Sequence, residues 1–223
     1  MKDFFAHAAA RHHPWPAGRR DLHWLVLPDP DCARRSLYEP YRELVHQPGL
    51  HPVLPEWMHA TVRHMGPQNS AHPNDVDRLV AEVTRRVRHV APFTLTMSRP
   101  DIGTMALESK AHPGAPFRRL WTLTGQAQLR VVGNRWPLLP AHSYPHITHA
   151  YAGPEAHLAD RTALKELLSD LDGGPVPVPV TALTLVSEWH TNHQIRWEIL
   201  AEVPLASRTP APAPTGTGRA CNR

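Results

Sequence analysis

Cysteine is almost missing from this 223-residue chain: there are two, Cys32 and Cys221, the second close to the C-terminus. Such a pair makes neither a disulfide framework nor a thiolate zinc site, so a reducing, cytoplasmic setting is expected. Long apolar runs are missing too. No stretch approaches the ~20 residues needed to span a bilayer, and Met1 to Arg20 lacks the apolar region of a signal peptide, so no membrane partner is expected. There is no glycine-rich phosphate loop, which argues against a nucleoside triphosphatase. No serine stands in a Gly-x-Ser-x-Gly elbow, and the acyl-transfer reading loses its main support. Neither a His-x-x-x-His helix nor a carboxylate cluster supports a metal-dependent hydrolase built from His112, His142, His190 or His193. No metal or other cofactor is therefore expected.

What the chain does have is 25 prolines, 17 histidines and a 41% hydrophobic fraction, enough to bury a sizeable core in one domain or two intimately packed lobes. Of the formal charge of +4, residues 1–20 carry +3 (Lys2, Arg11, Arg19, Arg20 and Asp3) and residues 207–223 carry +3, which leaves 21–206 at −2. The basicity lies in the tails, so a broad duplex-binding footprint is not supported. Residues 1–20 read as a flexible N-terminal arm, 21–206 as a single domain, and 207–223, with Pro210, Pro212 and Pro214, as a disordered tail.

Along the body, Leu22 to Leu27 is a mostly apolar strand. Asp31 is placed to cap a helix through about Val45 that Pro40 kinks or splits. Asn74 to Val90 has the clearest helical stripe, formed by Val76, Leu79, Val80, Val83, Val87 and Val90, with Asn74 placed to cap it. A strand from Phe93 to Met97 and a partner around Thr104 to Lys110 follow. Pro116 opens a second long helix with Phe117, Leu120, Trp121 and Thr124 inward. A third helix spans about Ala156 to Leu171. Thr181 to Ser187 and Gln194 to Val203 form a hairpin in which Ile195, Trp197, Ile199, Ala201 and Val203 alternate inward. This order favours an α+β class, with antiparallel sheets and helices outside them.

Two short segments carry the chemistry. His59-Ala60-Thr61 and His146-Ile147-Thr148 each place a histidine and a threonine two residues apart on an alternating strand. Residues i and i+2 of a strand share a face, so Met58, Ala60 and Val62 turn to the core while His59 and Thr61 emerge together. Ile147 does the same for His146 and Thr148, and alternation puts His149 on the core side. The motifs lie 87 residues apart, as expected if two similar halves each supplied one strand to a shared cleft. Two imidazoles around one phosphate form a complete acid–base set, since histidine titrates near neutrality. The two threonine hydroxyls can donate to non-bridging oxygens. Which histidine is acid and which is base stays open at this level.

With these motifs the chain resembles the 2H phosphoesterases, specifically their 2′-5′ RNA ligase-like (LigT-like) branch, over roughly residues 21–204. The HxTx motifs His59 to Val62 and His146 to His149, the Pro55-Glu56-Trp57-Met58 approach, Arg63 and Gly66 carry the resemblance. His149, Ala150 and Tyr151 depart from it, because that branch usually has an apolar residue and then an arginine there. The resemblance implies a bilobal, duplicated α+β fold whose antiparallel sheets line a central cleft. It implies an RNA-processing, metal-independent phosphodiesterase acting on RNA ends or small cyclic-phosphate nucleotides, with 2′-5′ ligation as a possible reverse reaction. His59, Thr61, His146 and Thr148 would be catalytic. Arg63 and Tyr151, the latter by stacking on a base, would bind substrate, with Lys110 and Tyr144 as further cleft candidates. A monomer is expected. The alternative is a non-catalytic module that keeps the fold and binds RNA ends or nucleotides.

Overall fold

The computed structural model describes residues 1–7, 18–139, 144–191 and 193–206. The expected tail at 207–223 and residues 8–17 of the expected N-terminal arm lie outside these residues. Among the described residues, nine strands pair antiparallel into two sheets. β1 (Asp21–Val26), β3 (Ala60–Pro67), β8 (Ala182–Thr191) and β9 (Gln194–Pro204) form one, in the order β3-β1-β8-β9. The other contains β2 (Leu50–Pro52), β4 (Phe93–Ile102), β5 (Ala106–His112), β6 (His146–Ala152) and β7 (Val176–Val180), in the order β2-β6-β5-β4-β7. The architecture is α+β, as the sequence suggested. The lobes, however, are not consecutive halves of the chain. The first sheet takes strands from both ends of the domain, and the second takes those between.

Helices cover the outer faces. α1 (Asp75–Val87) buries Leu79, Val83 and Val87 fully, one turn apart, and packs on α2 (Gly114–Val132), which lies along β3. Asn74 does not cap α1. It takes a left-handed conformation (φ 67°) with no side-chain bond, and the buried Asp75 carboxylate instead receives the His72 amide and the Arg135 guanidinium. α3 (Arg161–Asp170) buries Leu164 and is capped by Asp160, which accepts from Thr162 N and Ala163 N. The segment after β1 breaks as the proline requires: π-helical over Ala33–Tyr38, 3-10 over Glu39–Tyr41, then helical over Arg42–Val45. Its cap is Asp29 rather than Asp31. The expected inward alternation of β9 also fails at Ile199, which is 56% exposed. Leu185 pairs with Ala201 and Val186 with Ile199, so Leu200 is an extra residue in this edge strand and shifts its faces.

Residues 1–7 are docked rather than loose. Lys2 N donates to Thr104 O at 2.8 Å, and Asp3 Oδ1 accepts from Phe5 N and Ala6 N. Phe4 and Phe5 then reach the ring of Tyr151 at 4.4 and 5.5 Å. Burial of two phenyl rings supplies the driving force that composition did not reveal.

Candidate active site

β3 and β6, at or near the facing margins of the two sheets, contact one another and carry the two motifs. Met58 (2% exposed), just before β3, and Ala60 (1%) and Val62 (3%) on it are core residues; His59, immediately ahead of the strand, and Thr61 are partly exposed between them. On β6, Ile147 is buried at 1% exposure, His146 is partly exposed, and Thr148, though only 8% exposed, lines the cleft. All four line one cleft of about 540 Å³. The sequence-level pairing of His59 with His146 is therefore realised in space.

Both imidazoles are held in the same way. His59 Nδ1 lies 2.8 Å from Trp57 O and His146 Nδ1 lies 3.3 Å from Tyr144 O. A carbonyl only accepts, so each Nδ1 carries the hydrogen and Nε2 is the nitrogen that can exchange a proton. Their surroundings differ. Burial, opposed in part by the Trp57 carbonyl and aided by the charge of His146, lowers the His59 pKa to about 4. His146 Nε2 instead has Glu108 Oε1 at 3.8 Å, a negative partner for a ring that carries its second proton.

Arg63 and Tyr151 also line the cleft, but each is engaged with the protein. Trp24 pairs with Arg63 and Leu25 with Thr61, so Val62 is a bulge that turns Arg63 away from the face of Thr61. The guanidinium lies 4.2 Å over the Trp121 ring and donates from Nε and Nη2 to Trp121 O, and from Nε to Thr124 Oγ1. Nη1 is buried without a hydrogen-bond partner among the described residues. Tyr151 is 6% exposed, its ring is covered by Phe4, and its hydroxyl is bonded to Thr148. The ring proposed to stack on a base is thus already covered by Phe4, tilted 37° to it. Lys110 pairs with Asp101 at 3.0 Å and lies 5.0 Å from the Tyr144 ring. His149 is fully buried on the core side, with Nε2 2.7 Å from Ser109 Oγ.

Two glycines hold these walls close. At Gly66 a Cβ would lie 2.5 Å from Trp136 Cγ, and at Gly125 in α2 it would lie 2.6 Å from Arg63 Nη2. Gly125→Ala should cost about 1–3 kcal/mol through overpacking, read from urea unfolding; an unchanged midpoint would show that Arg63 is loosely held.

The floor of the cleft is a polar group that the sequence reading did not bring together. A second bulge, at Met65, pairs His23 with His64, and these rings stack at 4.4 Å with 7° between planes. His64 Nε2 lies 2.6 Å from Asp21 Oδ2, and Arg19 forks onto the same carboxylate with two bonds of 2.8 Å. Burial raises the Asp21 pKa, but these partners overcome it and hold it at about 2. Glu188, opposite Asp21 on β8, is 5% exposed and burial lifts its pKa to about 8. Among the described residues no group of three His, Cys, Asp or Glu side chains is arranged to hold a metal ion.

No family model matches the chain, and no curated protein matches it. Solved structures do. Escherichia coli LigT crystallised with 3′-AMP aligns with a TM-score of 0.62 at 15% identity, covering 85% of this chain and 99% of LigT. TT0787 of Thermus thermophilus aligns with a TM-score of 0.59 at 20% identity, covering 84% and 99%. Usb1 of Kluyveromyces marxianus reaches 0.50 at 10% identity, covering 85% and 100%. At these identities the likeness is one of fold: the chain shares the α+β architecture of LigT.

Proposed function

We propose that this protein is a metal-independent phosphodiesterase that opens ribose 2′,3′-cyclic phosphates on RNA ends or nucleotides, using His59 and His146 as an acid–base pair. The observation that carries this reading is the convergence of two His-x-Thr pairs, from two different sheets, on one cleft. Both histidines are anchored through Nδ1, which makes Nε2 the nitrogen that exchanges a proton. Opening the ring requires a proton removed from water and a proton delivered to the departing ribose oxygen. His59 arrives neutral, because burial disfavours its cation, and takes the first role. His146, with Glu108 beside it, takes the second. Thr61 and Thr148 donate hydroxyl hydrogens to the non-bridging oxygens, where charge is greatest in the transition state. Tyr151 fixes the Thr148 hydroxyl, and Arg63 braces the α2 wall while adding positive charge near the anion. A 5′-hydroxyl that takes the place of water opens the same ring to a 2′-5′ linkage, with the same groups in the same roles.

RNA oligonucleotides ending in a 2′,3′-cyclic phosphate, incubated with the protein and excess EDTA, should acquire an open monoester end. A rate abolished by EDTA and restored by a divalent cation would contradict the reading. The pH dependence is equally specific. A base must be unprotonated, so kcat/KM should fall as pH drops through about 4, the value burial gives His59. An acid limb near 6.5, the ordinary imidazole value, would show that His59 is not the base.

A further inference from the structure

The proposed mechanism leaves one buried acid of the cleft unused. Glu188 lines the same cavity as the two motifs, yet its side chain is only 6% exposed. Its Oε2 has no hydrogen-bond partner among the described residues. Its Oε1 lies 3.6 Å from His23 Nε2, beyond a hydrogen bond. His23 is no counter-ion either, because burial and the neighbouring His64 hold it neutral. Among the described residues, Asp21 on β1 faces it, His64 on β3, Glu108 on β5 and Tyr151 on β6 line the same cleft, and Arg19 just before β1 and His190 on its own strand lie near Asp21. β9 offers Trp197 opposite it, which is uncharged. Asp21 already takes both Arg19 and His64. A second carboxylate here would face Asp21 across the β1/β8 pairing without a cation of its own, in a cleft meant for an anion. A neutral carboxyl meets neither difficulty, and it has a hydrogen to donate.

We infer that Glu188 contacts substrate as a neutral carboxylic acid, donating a hydrogen bond to an oxygen of the bound phosphate. The inference rests on the phosphodiesterase reading and names a third kind of phosphate donor beside the threonines. It also accounts for the isolation of the side chain: a carboxyl with no hydrogen-bond partner among the described residues is left for a ligand. Burial, which lifts its ionisation to about 8, keeps the hydrogen in place at neutral pH. Above that pH the group becomes an anion and repels the phosphate.

Calorimetric titration with 3′-AMP, whose phosphate is already dianionic at pH 7, separates the possibilities between pH 7 and 9.5. In the wild type Kd should weaken about tenfold or more across this range, and in Glu188→Gln, which keeps a donor and cannot ionise, it should change far less. Identical pH profiles in both proteins would overturn the role of Glu188 while leaving the phosphodiesterase reading intact. Failure of the wild type to bind 3′-AMP at pH 7 would remove both. Should the variant not fold, carboxyl ¹³C NMR of the wild type gives the same answer. Bound 3′-AMP should raise the pH at which Glu188 ionises, and an unmoved titration would refute the contact.

Discussion

Alanine at either His59 or His146 should lower kcat/KM for cyclic phosphate opening by about 10²–10⁴-fold, without unfolding the protein. The size follows from what each imidazole does. Neither is a core residue; both sit between buried neighbours, Met58 and Ala60 in one case and Ile147 in the other, that keep the strands in place. Truncation therefore removes a proton-transfer group and leaves the scaffold. The double variant should lose much less than the product of the two single losses, because an acid and a base that act in one step fail together. Steady-state kinetics with thermal unfolding as a control measures this. Undiminished turnover in either variant would place the chemistry elsewhere.

The second large effect separates the two histidines. A ribose oxygen leaves poorly unless it is protonated, whereas p-nitrophenolate needs no proton. With a 2′-deoxynucleoside 3′-(p-nitrophenyl phosphate), which only water can attack and from which p-nitrophenolate departs opposite that water, His146→Ala should recover to within about tenfold of the wild type, while His59→Ala keeps its full loss. The prediction comes from the difference in surroundings: His59 is desolvated and neutral, and His146 has the Glu108 carboxylate 3.8 Å from Nε2. Rescue of His59→Ala instead would exchange the roles. Equal, unrescued losses would mean that leaving-group protonation does not limit the reaction.

Period-two alternation was enough to place His59 with Thr61, His146 with Thr148, and His149 in the core. It works because a buried face fixes strand register. What it could not reveal depends on pairing partners. The bulges at Val62 and Met65 arise only when β3 pairs with β1. They turn Arg63 toward α2 and bring His64 round beside His23. Asp21 lies just before a strand that reads as mostly apolar, His23 lies within it, and Glu188 lies one residue past the end assigned to its strand. Strand order was equally hidden, since β1 and β3 find β8 and β9 from the far end of the domain. Docking of Phe4 and Phe5 onto Tyr151 is a long-range contact with no local signature. The helix starts show the same limit on a smaller scale. Asp29 and Asp160 cap through their own side chains, whereas Asn74 yields to an Asp75 carboxylate tied to Arg135, a residue 60 positions away.

The most direct test of the central claim is the ³¹P NMR spectrum of adenosine 2′,3′-cyclic phosphate with the wild-type protein and excess EDTA. The account predicts that the five-membered cyclic phosphate signal is replaced by that of one ring-opened monoester. A cyclic signal that broadens on binding but never converts would contradict it, and would identify the cleft as a nucleotide-binding site without chemistry.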